Sequence, residues 1–172
     1  KKRESKIILI SHLGSKEKNL ASETAAQNYS LEPISLRLEK LLGQKVKFLG
    51  DCLRAGVYQE IEKLQPSEVA LLENLRLHPE EEANDSDFAR ALAELGDIYI
   101  NDGFSVCHRA HASVVGIPKY LPAGAGILLE KEIKILSRVL EKPWRPFVAI
   151  IGGVKISTKI KVIEKFLEVA DH

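Results

Sequence analysis

Short apolar runs that alternate with amphipathic segments constrain this chain more than any other feature. Lys6–Ile10, Val46–Leu49, Val69–Leu72, Ile98–Ile100 and Phe147–Ile151 are rich in Ile, Val and Leu. Apart from Lys6 and Lys47 they are apolar, as strands covered on both faces require. Between them lie segments with helical spacing. Ser30 predicts an N-cap for a helix that puts Leu31, Ile34, Leu38, Leu41 and Leu42 on one buried face and ends at Gly43. Leu53–Leu64 predicts a helix stopped near Pro66. Asp85 or Ser86 predicts the cap of another, with Phe88, Ala89, Leu92 and Leu95 inward and Gly96 closing it. Leu128–Leu140 and Ser157–Val169 complete the helical set. Strands alternating with helices predict an α/β chain with a parallel sheet, right-handed crossovers and helices on both faces, a three-layer α/β/α arrangement.

Composition narrows the class. At 172 residues, 45% hydrophobic and 28% charged, the chain can bury a real core. A net charge of +1 gives no reason to expect nucleic acid or an anionic membrane as partner, so any anion site must come from locally placed cations. The two cysteines, Cys52 and Cys107, form no Cys-x-x-Cys pair and read as small buried hydrophobes in a reducing, cytoplasmic setting. No run has the apolar length to span a membrane, and Ile7–Ile10 is too short for a signal peptide. Methionine is absent even at position 1, which predicts an internal segment of a longer protein. The polar stretch after Ile10, through Asn28, reads as a long loop, and Glu80-Glu81-Glu82 as a solvated one. Gly116–Gly126 reads as a Gly/Pro-punctuated connection, and Trp144 between Pro143 and Pro146 as a linker.

Two constellations carry chemistry. Asn101–Ser113 follows the fourth apolar run and holds Asp102, His108, Arg109, His111 and Ser113. In a parallel sheet the carboxyl ends of strands share one edge, so His12, Arg76, His108 and Arg109 are expected to converge there. Arginine forks among histidines suit a small phosphorylated acid, and a structural ion-pair network is the rival reading. The second constellation is Gly152-Gly153-Val154-Lys155-Ile156-Ser157-Thr158-Lys159, where a strand meets a Gly-Gly turn and a helix begins. Lys155 and Lys159, four apart, can share one helix face. The pattern is neither a P-loop nor the Gly-x-Gly-x-x-Gly fingerprint. His108 and His111 lack the partners of a zinc set, so no metal ligand is assigned. Cys107 beside His108 reads as a core cysteine, because adjacent residues rarely face each other.

In order, Ser11-His12-Leu13-Gly14, Leu71-Leu72-Glu73-Asn74-Leu75-Arg76, Pro79-Glu80-Glu81-Glu82, Gly96–Asp102, His108-Arg109-Ala110-His111-Ala112-Ser113 and Arg145–Lys159 resemble phosphoglycerate kinase nearly end to end. The resemblance implies a Rossmann-like, incomplete two-domain kinase. It divides the chain into a phosphoglycerate-binding domain over 1–127 lacking its first strand, an interdomain helix and linker over 128–146, and the first βα unit of the nucleotide-binding domain over 147–172. It implies reversible phosphoryl transfer between 1,3-bisphosphoglycerate and ADP, giving 3-phosphoglycerate and ATP in glycolysis. His12, Arg76, Arg109 and His108 fall on substrate-binding motifs, with His111 in the same motif as His108. Lys159, Lys155 and Gly153 fall on nucleotide positions. Lys155 and Arg109 are implied as the catalytic pair.

The cofactor implied is ATP/ADP with Mg2+, whose metal ligand is expected in the missing C-terminal part. The implied protein is a cytoplasmic monomer whose partners are 3-phosphoglycerate and ATP. Two departures stand out: Ser15 replaces the usual Arg, and Gly103-Phe104-Ser105-Val106-Cys107 replaces Ala-Phe-Gly-Thr-Ala. The segment alone is expected to be inactive, and Phe147–His172 to expose an apolar face. The alternative reading is a non-catalytic anion-binding homologue that retains the phosphoglycerate patch.

Overall fold

The computed structural model describes residues 4–14, 29–152 and 160–172. The chain divides into two compact units, one of residues 1–99 and 106–124, the other of residues 100–105 and 125–172. In the first unit the elements run β1 (Ile7–Leu9), α1 (Glu32–Leu42), β2 (Val46–Leu49), α2 (Ala55–Glu62), β3 (Val69–Leu72), α3 (Pro79–Ala83) and α4 (Ser86–Ala93). They surround a parallel three-stranded sheet of order β1-β3-β2. Ile7 pairs with Val69 and Leu9 with Leu71 on one side, and Val46 with Val69 and Leu49 with Leu72 on the other.

Side chains alternate across a strand, so the central β3 feeds two cores. Val69 and Leu71 pack with Leu31, Val46, Leu38 and Phe48 under α1. Ala70 and Leu72 pack with Cys52, Val57, Ile61, Phe88, Ala89 and Leu92, the inward faces of α2 and α4. Every residue of β3 is buried, the pattern expected of a strand sandwiched between helices. The three-layer α/β/α reading holds for this unit.

Several local expectations are corrected. The buried stripe of α1 is narrower than its leucine content predicts. Leu31 and Ser35 are buried and Leu38 packs on the core, while Ile34, Leu41 and Leu42 are exposed. The helix touches the sheet along a single ridge. Ser30 sits one residue outside the cap position, where Oγ accepts from Glu32 N (3.1 Å) and donates to Glu73 Oε2 (2.7 Å). Gly43 ends the helix at φ 66°, in the left-handed region that glycine tolerates.

α2 begins two residues later than Leu53 because Asp51 Oδ1 takes the Cys52 and Leu53 amides (2.6 and 3.1 Å) into a turn. Asp85, rather than Ser86, caps α4, accepting from Asp87 N (2.9 Å) and Phe88 N (2.8 Å). The acidic run is not a solvated loop. Pro79 at the first helical position and three acidic residues in the first turn make it α3, with Glu81 buried.

The predicted fourth strand is β4 (Tyr99–Asn101), and it lies outside the three-stranded sheet. It pairs instead with β5 (Ala123–Ala125), inside the stretch read as a mere connection. A helical turn over Ala112–Gly116 packs on α4, and a Cβ on Gly116 would meet Ala89 Cβ at 2.6 Å. Cys52 is fully buried, but Cys107 is exposed, directly after the one-turn helix Phe104–Val106. The core-cysteine reading therefore fails for Cys107.

The second unit contains α5 (Ile127–Glu141) and, within residues 160–172, α6 (Ile160–Val169). Asp102 Oδ1 accepts from Leu129 N (2.9 Å) and caps α5. Gly126 must be glycine at this approach, since a Cβ would lie 2.3 Å from that oxygen. Phe147–Ile151 forms no strand among the described residues. Its backbone bonds go to the residues after α6, with Asp171 N donating to Phe147 O (2.8 Å) and Ala149 N to His172 O (2.9 Å). An apolar run becomes a strand only where a neighbour completes the ladder. The expected apolar exposure is present, with Ile150 94% and Leu167 81% exposed. Among the described residues no helix is long and apolar enough to cross a membrane.

Candidate functional site

The carboxyl end of β3 organises the site. Glu73 follows the strand and accepts from Leu31 N (2.8 Å) and Asn74 N (2.7 Å), tying the start of α1 to the sheet edge. Cys52 Sγ donates to Glu73 O (3.1 Å), and burial pushes that thiol far above its ordinary range, so it stays protonated and inert. Asn74 is fully buried. Its Nδ2 donates to Leu13 O (2.8 Å) and Tyr29 O (3.0 Å), while its Oδ1 accepts from Arg76 N (3.0 Å). Leu75 N donates to Ser11 O (3.1 Å). The residues after β1 are therefore laid against the residues after β3 by backbone and amide bonds.

Arg76 stands on the one-turn helix Leu75–Leu77 and is 8% exposed. Its Nη1 donates to Gly14 O. Its Nε makes no hydrogen bond and lies 3.5 Å from Glu82 Oε1. A buried guanidinium with an N–H still to satisfy is suited to a bound anion.

The Val106–Ser113 segment supplies the second wall. Arg109 is half-buried and its amide donates to Val106 O (2.9 Å). His111 is buried, with Nδ1 3.8 Å from Glu81 Oε1. Tyr99 OH donates to Ser113 O (2.6 Å), and burial first, then Glu81 and Cys107, pushes its hydroxyl up to about 12.

His12, Arg76, Arg109 and His111 act on one another electrostatically, together with Glu81 and Glu82. Three of the four groups expected to converge, His12, Arg76 and Arg109, belong to one unit and are near enough to act on one another electrostatically. His108 is exposed and is not among the charges acting on His12, Arg76 or His111. Asp102 serves as a helix cap in the other unit. Gly153, Lys155 and Lys159, like Ser15, lie outside the described residues. Sequence reasoning did not find Glu81 and Glu82. The signal was available in Pro79 followed by three acidic residues, a helix start rather than a loop.

Burial lowers the pKa of His12, and Arg76, Arg109 and His111 lower it further against Glu82. His111 is also lowered, by burial and both arginines, against Glu81 and Glu82. Both rings are therefore neutral at pH 7. The unfolded chain binds protons at these histidines first, so their contribution to stability is complete above about pH 6.5 and is lost as pH falls toward the folded values. Urea unfolding between pH 8 and pH 6 should show a midpoint falling with acidification, less so in His12→Gln. A flat wild-type profile would contradict this.

The model of the family described as phosphoglycerate kinase matches residues 1–172. This chain belongs to the phosphoglycerate kinase family. Phosphoglycerate kinase of Synechococcus sp. (strain JA-3-3Ab) is 52% identical over 171 residues, covering 96% of this chain and 42% of the relative. That of Moorella thermoacetica is 51% identical over 166 residues, covering 96% and 41%. Among solved structures, phosphoglycerate kinase from Coxiella burnetii superposes with a TM-score of 0.77 at 34% identity, covering 98% of this chain and 40% of that one. The enzyme from Pyrococcus horikoshii OT3 gives 0.77 at 27% identity, covering 96% and 50%. The chain spans about two fifths of the length of these curated relatives.

Proposed function

We propose that this chain is the phosphoglycerate-binding part, with the start of the nucleotide-binding part, of an enzyme that moves a phosphoryl group between 1,3-bisphosphoglycerate and ADP. The observation that carries the reading is the cluster of His12, Arg76, Arg109 and His111, whose charges act on one another. Two guanidinium forks match a phosphate and a carboxylate, and the neutral imidazoles become donors as an anion arrives. In the reverse direction a carboxylate oxygen of 3-phosphoglycerate attacks the γ-phosphorus of ATP, the bond to ADP breaks, and an acyl phosphate forms. Such transfer needs positioning and positive charge more than covalent help from the protein.

Arg109 holds the substrate oxygens in this scheme. Lys155 offsets charge on the transferring group, and Gly153 and Lys159 receive nucleotide phosphates. Mg2+, when bound with nucleotide, would neutralise phosphate charge. The working enzyme is a cytoplasmic monomer, and the 172-residue segment by itself has no turnover.

The full-length protein should form ATP from 1,3-bisphosphoglycerate and ADP; absence of turnover would overturn the catalytic reading. Calorimetry with 3-phosphoglycerate adds the site: Arg109→Ala should weaken binding by about 30-fold, the loss of one charged contact. Binding without turnover would favour a non-catalytic anion-binding homologue.

A further inference from the structure

We propose that Glu81 is a positioning residue for the anion site, holding the Arg109–Ser113 segment in register through Ser113 and His111. The inference rests on the phosphoglycerate reading above. Glu81 stands in the first turn of α3 and is 3% exposed. One carboxylate oxygen, Oε2, accepts from Ser113 N (2.9 Å), and the other, Oε1, from Ser113 Oγ (2.5 Å). Oε1 also lies 3.8 Å from His111 Nδ1. A single buried carboxylate therefore fixes both the backbone and the side chain at the end of the segment that carries Arg109 and His111.

Ser113 is held a second time by Tyr99, whose hydroxyl donates to its carbonyl (2.6 Å), and Val114 N and Val115 N close the turn on His111 O (3.0 and 2.9 Å). The segment is thus anchored at Ser113, four residues beyond Arg109. Glu81 is placed to set where the guanidinium stands without touching the ligand itself. Because its charge opposes the nearby cations, removing that charge cannot by itself weaken anion binding. Only its reach can do so.

This separates the two roles. Glu81→Asp keeps the charge and shortens the side chain by one methylene, so both oxygens retreat from Ser113. Glu81→Gln keeps the length and loses the charge. In the full-length protein, Glu81→Asp should raise the KM for 3-phosphoglycerate about tenfold with the KM for ATP and kcat unchanged, since small misplacement of a binding group is costly. Glu81→Gln should stay within about threefold of wild type, less than a single lost charge-assisted contact. A merely structural role would lower the active fraction, hence apparent kcat, and leave KM alone; that result would overturn the inference. So would a KM rise in Glu81→Gln that Glu81→Asp lacks. If Glu81→Asp fails to fold, Ser113→Ala decides, and an unchanged KM there overturns it. Wild-type protein that does not bind 3-phosphoglycerate would sink the underlying reading instead.

Discussion

Arg76→Ala should weaken 3-phosphoglycerate binding by about 100-fold and lower stability by about 3 kcal/mol, the scale for removing one partner of a buried charged pair. Both effects follow from one geometry. The guanidinium is buried beside Glu82 and donates to Gly14 O, so its loss removes an ion-pair partner from a carboxylate and a donor from a carbonyl. It also removes one of the two guanidinium groups from the charged cluster. Arg76→Lys keeps the charge but not the fork, and should recover less than half of the lost binding free energy. Calorimetry and urea unfolding on the full-length protein read the two losses separately. Wild-type affinity in Arg76→Ala would remove Arg76 from the site.

Asn74→Ala is the second large expected loss, about 3 kcal/mol of unfolding free energy. Its amide satisfies Leu13 O and Tyr29 O, and its carbonyl satisfies Arg76 N, all from a fully buried position. Asn74→Asp should be at least as harmful, because it sets a carboxylate oxygen against two carbonyls that need donors. His12, adjacent to Leu13, should lose its place as well, so substrate affinity should fall along with the urea midpoint. An unchanged midpoint in both variants would mean that these bonds do not hold the loop ends in solution.

The fold was largely legible because its signals are local. Val46–Leu49 and Val69–Leu72 match the strands residue for residue, since a short, mostly apolar run between turns has few other fates. Gly43 and Asp85 mark helix ends by backbone chemistry that needs no tertiary partner. The misreadings share an opposite character. Phe147–Ile151 has strand composition but no neighbouring ladder among the described residues, and β5 hides in Ala123-Gly124-Ala125, whose composition carries no strand signal. The face of α1 was drawn too wide because periodicity counts leucines and cannot know how much of the helix the sheet will cover.

What the sequence determined by itself was the set of cations and their order: His12 after β1, Arg76 after β3 and Arg109 in the longer loop that follows β4. Spacing and residue type sufficed, because strand ends and arginine forks are properties of single segments. Only the tertiary structure decided which of those groups meet and what holds them. His111, rather than the exposed His108, joins the charged cluster, and Glu81 turns inward to clamp Ser113 while Glu82 faces Arg76. Those choices depend on burial, and burial is set by which elements pack together, a quantity no single segment contains.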